Sequence, residues 1–379
     1  MYNGIHKPNR YENKSESCKM ESNGNNAAMK KTDIPFLSNL SRREALALGI
    51  SSTAALALAA STAGAVSDAP LRPSTSLGGP GHVVKVHMPG MRQGLFPHPD
   101  AAQKMVETAV MTLSRKSDIH SAWREYVKPT DKVGIKINCL GTRMVSSMKE
   151  VVDAIARGII DAGVPAGNIV IFDMFASNMM GGRYDQKTTA GKVRVLAHKE
   201  YPYESTWTTA GNARVRFSTL FSEADTIINV PVIKDHDLAG VTCCMKNVTF
   251  GCVEKPHLNH GIVNEALCHL WALEDIRRRV KLNIIDGSTI LYDGGPKYNR
   301  NALEPHECIY ATTDPVAMDA TAADLVENLR ARNGLRTLAE VRRPPLFLDM
   351  AAKMGLGIAD TKIIRLETVD MQPFVGATA

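Results

Sequence analysis

Side chains able to do chemistry gather in one stretch of this 379-residue chain, Asp225 to Gly261, which reads DTIINVPVIKDHDLAGVTCCMKNVTFGCVEKPHLNHG. It opens as a buried strand, Thr226–Val230, and breaks at Pro231, which cannot donate to a central ladder. Lys234 and His236 then alternate in an extended segment and should project to one side. After Gly240 a helix-compatible run carries Thr242 and Lys246, four apart and so on one helical face, with Asn247 beside them. A packed core has no use for this set of cations, imidazole, hydroxyl and amide, because buried charge is costly unless paired. Lysines converging on one crevice suit a carboxylate or phosphate, as point charges. His236, with an ordinary pKa of about 6.5, suits proton transfer. Lys234, Lys246 and His236 are the candidate catalytic residues.

Several apolar strands end alike, at Ile137-Asn138, Phe172-Asp173, Ile228-Asn229 and Ile285-Asp286. In open α/β sheets the ligand crevice lies beyond the carboxyl ends of the strands. Any one such residue is more often a cap or turn former, but the recurrence favours a shared crevice. Lys136, Asn138, Asp173, Asn229, Thr242 and Asn247 are the candidate substrate-binding residues. His257 and His260 form a candidate metal pair at helical spacing, with Asp235, Asp237 or Cys252 to complete it. Pro256 and Gly261 make the same stretch read as a loop, where two histidines more often make surface hydrogen bonds. Cys243 and Cys244 are adjacent and read as small buried residues. The glycine-rich pieces Met180-Gly181-Gly182 and Asp293-Gly294-Gly295-Pro296 form neither a phosphate loop nor a dinucleotide fingerprint.

The pattern Asn229-x-Pro231-x-x-Lys234-x-His236, followed by Thr242-x-x-x-Lys246-Asn247-x-x-x-Gly251, resembles the signature of the family catalogued as domain of unknown function 362. The resemblance runs from about Asp131 to about Asp319. It implies a domain rather than a reaction. Many members of that family carry an added ferredoxin-like module with cysteine-ligated iron–sulfur clusters; this chain has no C-x-x-C, and so no iron–sulfur motif.

The elements that must position these residues alternate in kind. Strands are expected at His82–His87, Asp131–Asn138, Asn168–Asp173, Thr226–Val230, Lys281–Gly287, Glu307–Ala311 and Lys362–Val369. Helices are expected at Ala101–Leu113 with Asp100 as cap, from Ser147 or Met148 to about Ala162, and at Thr219–Ala224. Further helices are expected at Val263–Arg279, from Val316 to about Ala331, and at Leu346–Met354. Residues 174–212 read as an irregular insertion over the sheet edge, with short strands at Val193–Leu196 and Ala213–Phe217. The near-continuous apolar strand at Ile169–Phe172 marks a sheet covered on both faces. The fold class is therefore α/β, a largely parallel sheet flanked by helices.

Ser41-Arg42-Arg43-Glu44, an alanine-rich apolar run to about Ala60 and the small residues Ala63-Gly64-Ala65 read as a twin-arginine signal peptide behind a disordered n-region. Residues 1–65 would then be removed, leaving residues 66–379 as one large α/β domain in the periplasm or otherwise outside the cytoplasm, with no stable membrane span. The export machinery is an expected partner. Without residues 1–65 the net charge falls from +6 to near +3, and no basic stripe interleaved with aromatics remains, which argues against nucleic acid. The functional expectation is an exported enzyme acting on a small anionic molecule through a lysine–histidine crevice. The alternatives are a periplasmic binding or carrier protein for such a molecule, and a metal-dependent redox protein, a metal ion being the cofactor that the export route favours.

Overall fold

The structure is a computed structural model and describes residues 79–187 and 191–375. The expected signal peptide and its cleavage site lie outside the described residues. No helix among the described residues is long and apolar enough to cross a membrane.

The chain begins with β1 (His82–His87) and a small hairpin, β2 (Arg92–Gln93) and β3 (Phe96–Pro97). Helices α1 (Pro99–Ser114) and α2 (Ile119–Arg124) lead into β4 (Val133–Lys136), α3 (Lys149–Asp161) and β5 (Ile169–Asp173). Short α4 (Ala176–Gly181), β6 (Arg194–Ala197), the hairpin β7 (Thr208–Ala210) and β8 (Ala213–Val215), and α5 (Thr219–Ser222) follow. Next come β9 (Thr226–Asn229), β10 (Val232–His236), β11 (Gly240–Thr242), α6 (Cys244–Thr249), α7 (Val263–Trp271) and α8 (Glu274–Arg279). The chain closes with β12 (Val280–Leu291), β13 (Leu303–Thr312), α9 (Pro315–Arg332), α10 (Phe347–Lys353) and β14 (Arg365–Asp370).

The main sheet runs β14-β1-β13-β12-β9-β4-β5-β6, with β10 and β11 attached through β12. Strands β12, β9, β4, β5 and β6 are mutually parallel, while β13 runs against its neighbours β12 and β1. Successive residues of one strand enter opposite cores. Ile227 and Ile285 pack with the α6, α7, α9 and α10 side of the sheet, whereas Ile228 and Ile284 pack with α1, α2 and α3. This two-sided burial is why the strands read as apolar runs rather than alternating ones. The fold is α/β, a mostly parallel sheet flanked by helices.

Within the insertion, the strand expected at Val193–Leu196 forms as β6, which adds to the sheet as a parallel edge strand beside β5. Chain polarity is therefore preserved through it. Several local expectations are corrected. Helix α1 is capped by His98, whose ring accepts from the Asp100 N–H, rather than by Asp100. The expected Val263–Arg279 helix is two helices, because Leu273 leaves helical geometry with φ −57° and ψ 126°. Strand β12 extends beyond Gly287 to Leu291 because it has two partners in succession. Its first half pairs with β9 and its second with β10, the same line of chain interrupted at Pro231. Strand β13, paired along β12, begins at Leu303 rather than Glu307.

Candidate functional site

Strands β4 and β5 end at Lys136 and Asp173 on one edge, in register with Asn229 at the end of β9. Beyond that edge lies a cavity of about 350 Å³. Lys136, Asn138, Asp173, Lys234, His236, Thr242, Lys246 and Asn247 all line it. Residues far apart in the sequence are joined there because parallel strands present their carboxyl ends together.

Thr242 and Lys246 do not share a helix, contrary to expectation. Gly240, at φ +75°, turns the chain so that β11 pairs back on β10, with Thr242 opposite Lys234. Helix α6 starts only at Cys244, where the Asp319 carboxylate accepts the Cys244 and Met245 N–H groups at 2.6 and 3.0 Å. Lys246 still reaches the cavity, from the other side of that corner.

Lys136 is completely buried, and its ammonium donates to Ile137 O at 2.6 Å, Asp173 Oδ1 at 2.8 Å and Asn247 Oδ1 at 3.2 Å. Three acceptors exhaust its three hydrogens. Asp173 Oδ2 takes the Cys139 N–H at 2.7 Å, and Asn138 Nδ2 donates to Asn247 Oδ1 at 3.0 Å. Asn229 does not line the cavity. It accepts from Asn247 Nδ2 at 2.8 Å and donates to Cys244 O and Asn283 Oδ1, so it orients Asn247 from behind. Gly251 has a steric reason for its place, since a Cβ there would lie 2.2 Å from Asn247 O and 2.9 Å from Lys136 Nζ.

Lys234 is also completely buried, yet among the described residues Nζ donates only to Asn138 Oδ1, at 2.6 Å. Burial depresses its pKa to about 7, Asp173 partly opposing this and Lys246 and Lys136 adding to it. Lys246 Nζ sits 5.1 Å above the Phe250 ring centre, and burial lowers its pKa to about 8 against the pull of Asp237. The Thr242 hydroxyl is buried with no hydrogen-bond partner among the described residues. His236 Nδ1 accepts from the Leu238 and Ala239 N–H groups at 3.1 and 3.2 Å, which puts the ring proton on Nε2. Burial and the Lys246, His260 and Lys234 charges hold this imidazole neutral, its pKa pushed down to about 2. Asp237 Oδ1 lies 3.1 Å from the same Nδ1, but that carboxylate is largely exposed and solvated. His236 is thus a neutral hydrogen-bond donor toward the cavity rather than a ready proton acceptor.

The cavity does not bring His257 and His260 together. His260 lines the cavity, its ring centre 5.2 Å from that of Phe250 and 6.3 Å from that of His236, whereas His257 does not line it. Of the residues expected to complete that pair, Asp235 is held by Arg343 at 2.7 Å and Cys252 is buried. Among the described residues, a metal-ligand group is instead offered by Cys243, Cys244 and Asp319, whose ligand atoms lie within 4.8 Å of one another. Burial pushes both thiols up and raises Asp319 to about 7, and none of the three lines the cavity. The six cysteines among the described residues are all free. Asp286 is a cap, Oδ2 taking the Met148 N–H at 2.6 Å at the start of α3.

Other residues of the site carried no local signal. His198 donates from Nε2 to Gly251 O at 2.8 Å and so fixes the glycine against Lys136. Arg343 anchors Asp235, the residue between Lys234 and His236, and Asp235 also accepts the Gly295 N–H at 3.0 Å. Phe175, Leu140 and Leu238 supply apolar wall, and in each case the leucine or phenylalanine is partly exposed to the opening.

Compared with known proteins, the chain matches the family model described as Domain of unknown function (DUF362) over residues 133–324. No curated protein matches it. Among solved structures it is similar to a structural-genomics target from Thermotoga maritima, at 11% identity and a TM-score of 0.39, covering 64% of this chain and 61% of that one. It is also similar to the lactate racemase apoprotein from Thermoanaerobacterium thermosaccharolyticum, at 12% identity and a TM-score of 0.32, covering 65% of this chain and 57% of that one. The chain therefore spans less than two thirds of either structure.

Proposed function

Since the chain belongs to the family described as Domain of unknown function (DUF362), we propose from the site itself that it is an enzyme acting on a small anionic molecule. The observation that carries this reading is the convergence of unused donors on one cavity. Lys234, Lys246, the Thr242 hydroxyl and His236 Nε2 all border it, while the acceptors of Asp173 and Asn247 are engaged by Lys136, Cys139 and Asn138. A surplus of donors in a largely apolar pocket selects a carboxylate or phosphate. A binding or carrier protein would serve as well with permanently charged lysines. Lys234, whose pKa of about 7 leaves it between amine and ammonium, is suited to chemistry instead. The metal-dependent redox alternative would draw on Cys243, Cys244 and Asp319, outside the cavity.

The test is the pH dependence of anion binding by calorimetry, with inorganic phosphate and small mono- and dicarboxylates as probes. An anion needs the lysines charged. Affinity should be highest below pH 7 and fall as pH rises through about 7 and 8, where Lys234 and Lys246 lose their protons. Each lysine that must be charged contributes up to about tenfold per pH unit above its pKa. Pairs that bind equally well on both sides of the window, or no binding at all, would refute the anion site.

The export reading rests on the order of basic pair, apolar run and small-residue exit in residues 41–65. Replacing Arg42 and Arg43 with lysine should retain the protein in the cytoplasm, the folded domain intact. Unchanged secretion and processing would remove that assignment and leave the site untouched.

A further inference from the structure

We propose that Lys234 is a covalent nucleophile, whose amine condenses with the carbonyl carbon of a small 2-oxo acid to form an imine while Lys246 and His236 hold the acid's carboxylate. The inference rests on the anionic-substrate reading above and names the substrate class.

Three features of the cavity separate Lys234 from an ordinary anion-binding lysine. Its nitrogen is wholly buried and has a single partner, Asn138 Oδ1. That amide is itself oriented, because its Nδ2 donates to Asn247 Oδ1, so it takes one N–H hydrogen and leaves the nitrogen lone pair free toward the cavity. Lys136 shows the opposite design, since three acceptors around one nitrogen require the ammonium form. Second, a further lysine borders the same pocket, and desolvation next to another cation is the arrangement that makes a lysine amine nucleophilic near neutral pH. The depressed pKa of Lys234 agrees with this. Third, Thr242 stands directly opposite Lys234 across the β10–β11 pair, and its buried hydroxyl has no partner. Directly opposed residues share a sheet face with Cβ atoms about 5 Å apart, so the hydroxyl borders the space that a carbon bonded to Lys234 would occupy.

The step balances without any oxidant or reductant. The amine lone pair attacks the carbonyl carbon, a C–N bond forms and the π pair moves to oxygen. That oxygen takes a proton as the nitrogen gives one up, producing a carbinolamine. Its hydroxyl leaves as water when a second proton is delivered, and the nitrogen lone pair closes the C=N bond. The Thr242 hydroxyl is the donor beside that oxygen, while Lys246, with no hydrogen-bond acceptor of its own among the described residues, and the His236 Nε2–H face the carboxylate. A cavity of about 350 Å³ holds an acid of a few carbons.

The experiment is reductive trapping. The full-length protein is incubated with glyoxylate, pyruvate or 2-oxoglutarate and sodium cyanoborohydride, then analysed by intact mass and peptide mapping, with calorimetry of the same acids in parallel. The expected result is one adduct per chain, heavier by the mass of the acid less one oxygen, located on the peptide containing Lys234. It should be lost in Lys234→Arg. In Lys246→Met it should require at least about tenfold more acid, because a charge-assisted hydrogen bond is gone. Binding without trapping at Lys234 for every acid would overturn the imine and leave the anion site standing. Equal labelling of wild type and Lys234→Arg would overturn it too, and an absence of binding would remove both readings.

Discussion

The cavity has a closed side, at the ends of β4 and β5, and an open side, on the β10–β11 hairpin. Each carries a lysine with no solvent exposure. On the closed side Lys136, Asp173, Asn138, Asn247 and Asn229 satisfy one another, and the network is continued behind by Asn283. On the open side Lys234 has one amide partner, Thr242 has none, and Lys246 rests on an aromatic face. Residue type is the same on both sides, so the number of acceptors within reach decides the role. A lysine with three acceptors is locked as a cation and positions its neighbours. A lysine with one is held out of water with its capacity unused.

The largest effect should come from breaking the closed side. Lys136→Met leaves the Asp173 carboxylate and Asn247 Oδ1 buried without their cation, and removing one partner of such a pair costs about 3–5 kcal/mol. Lys234→Met removes an amine that already suffers desolvation and has no ion pair, so stability should change by no more than about 1 kcal/mol at neutral pH. Urea denaturation of both variants makes the comparison. The sign of its pH dependence sharpens it. Lys234 has a folded pKa of about 7 against an ordinary 10.5, so between those values the unfolded chain binds more protons. The wild type should therefore gain on Lys234→Met as pH rises across that window, and lose that advantage as pH falls back through 7. If Lys234→Met is as damaging as Lys136→Met, the two sides are not different in kind.

Much of the closed side was legible because it is written in local patterns. Asn138 and Asp173 end apolar runs, and Lys136 inside such a run is conspicuous. Alternation likewise placed Lys234 and His236 on one side of a strand. The errors came where the deciding partner is remote. Val241 and Thr242 look compatible with the helix that follows, but pairing across Gly240 with Lys234 and Asp235 draws them into β11. Helix α6 begins late because its first N–H groups are taken by Asp319, a carboxylate 75 residues away. Arg343, which holds Asp235, is 108 residues distant. Asn229 and Asp286 share the strand-end pattern of Asn138 and Asp173, yet one is roofed by α6 and the other caps α3. Local sequence marks where a polar group leaves a strand, and only the assembled layers decide whether a ligand or a helix meets it there.

The smallest expected effect is also the most specific to the open side. The Thr242 hydroxyl is buried and unpartnered, and an unsatisfied buried hydroxyl is a cost to the folded state. Thr242→Val keeps the branched shape and the strand preference while removing that cost. The variant should be more stable than wild type by about 0.5–1 kcal/mol, a gain read as a small rise in the urea midpoint with an unchanged slope. Anion affinity should move the other way, weakening about fivefold for the loss of one neutral hydrogen bond near 1 kcal/mol. A residue kept only for packing predicts no such opposition, since Val would match or improve both quantities. A loss of stability in Thr242→Val would mean that the hydroxyl already has a partner in the free protein, and the hairpin would then belong to the closed side of the cavity. A gain in stability with affinity intact would keep the open geometry but take Thr242 out of ligand recognition, leaving Lys234, Lys246 and His236 to hold the anion.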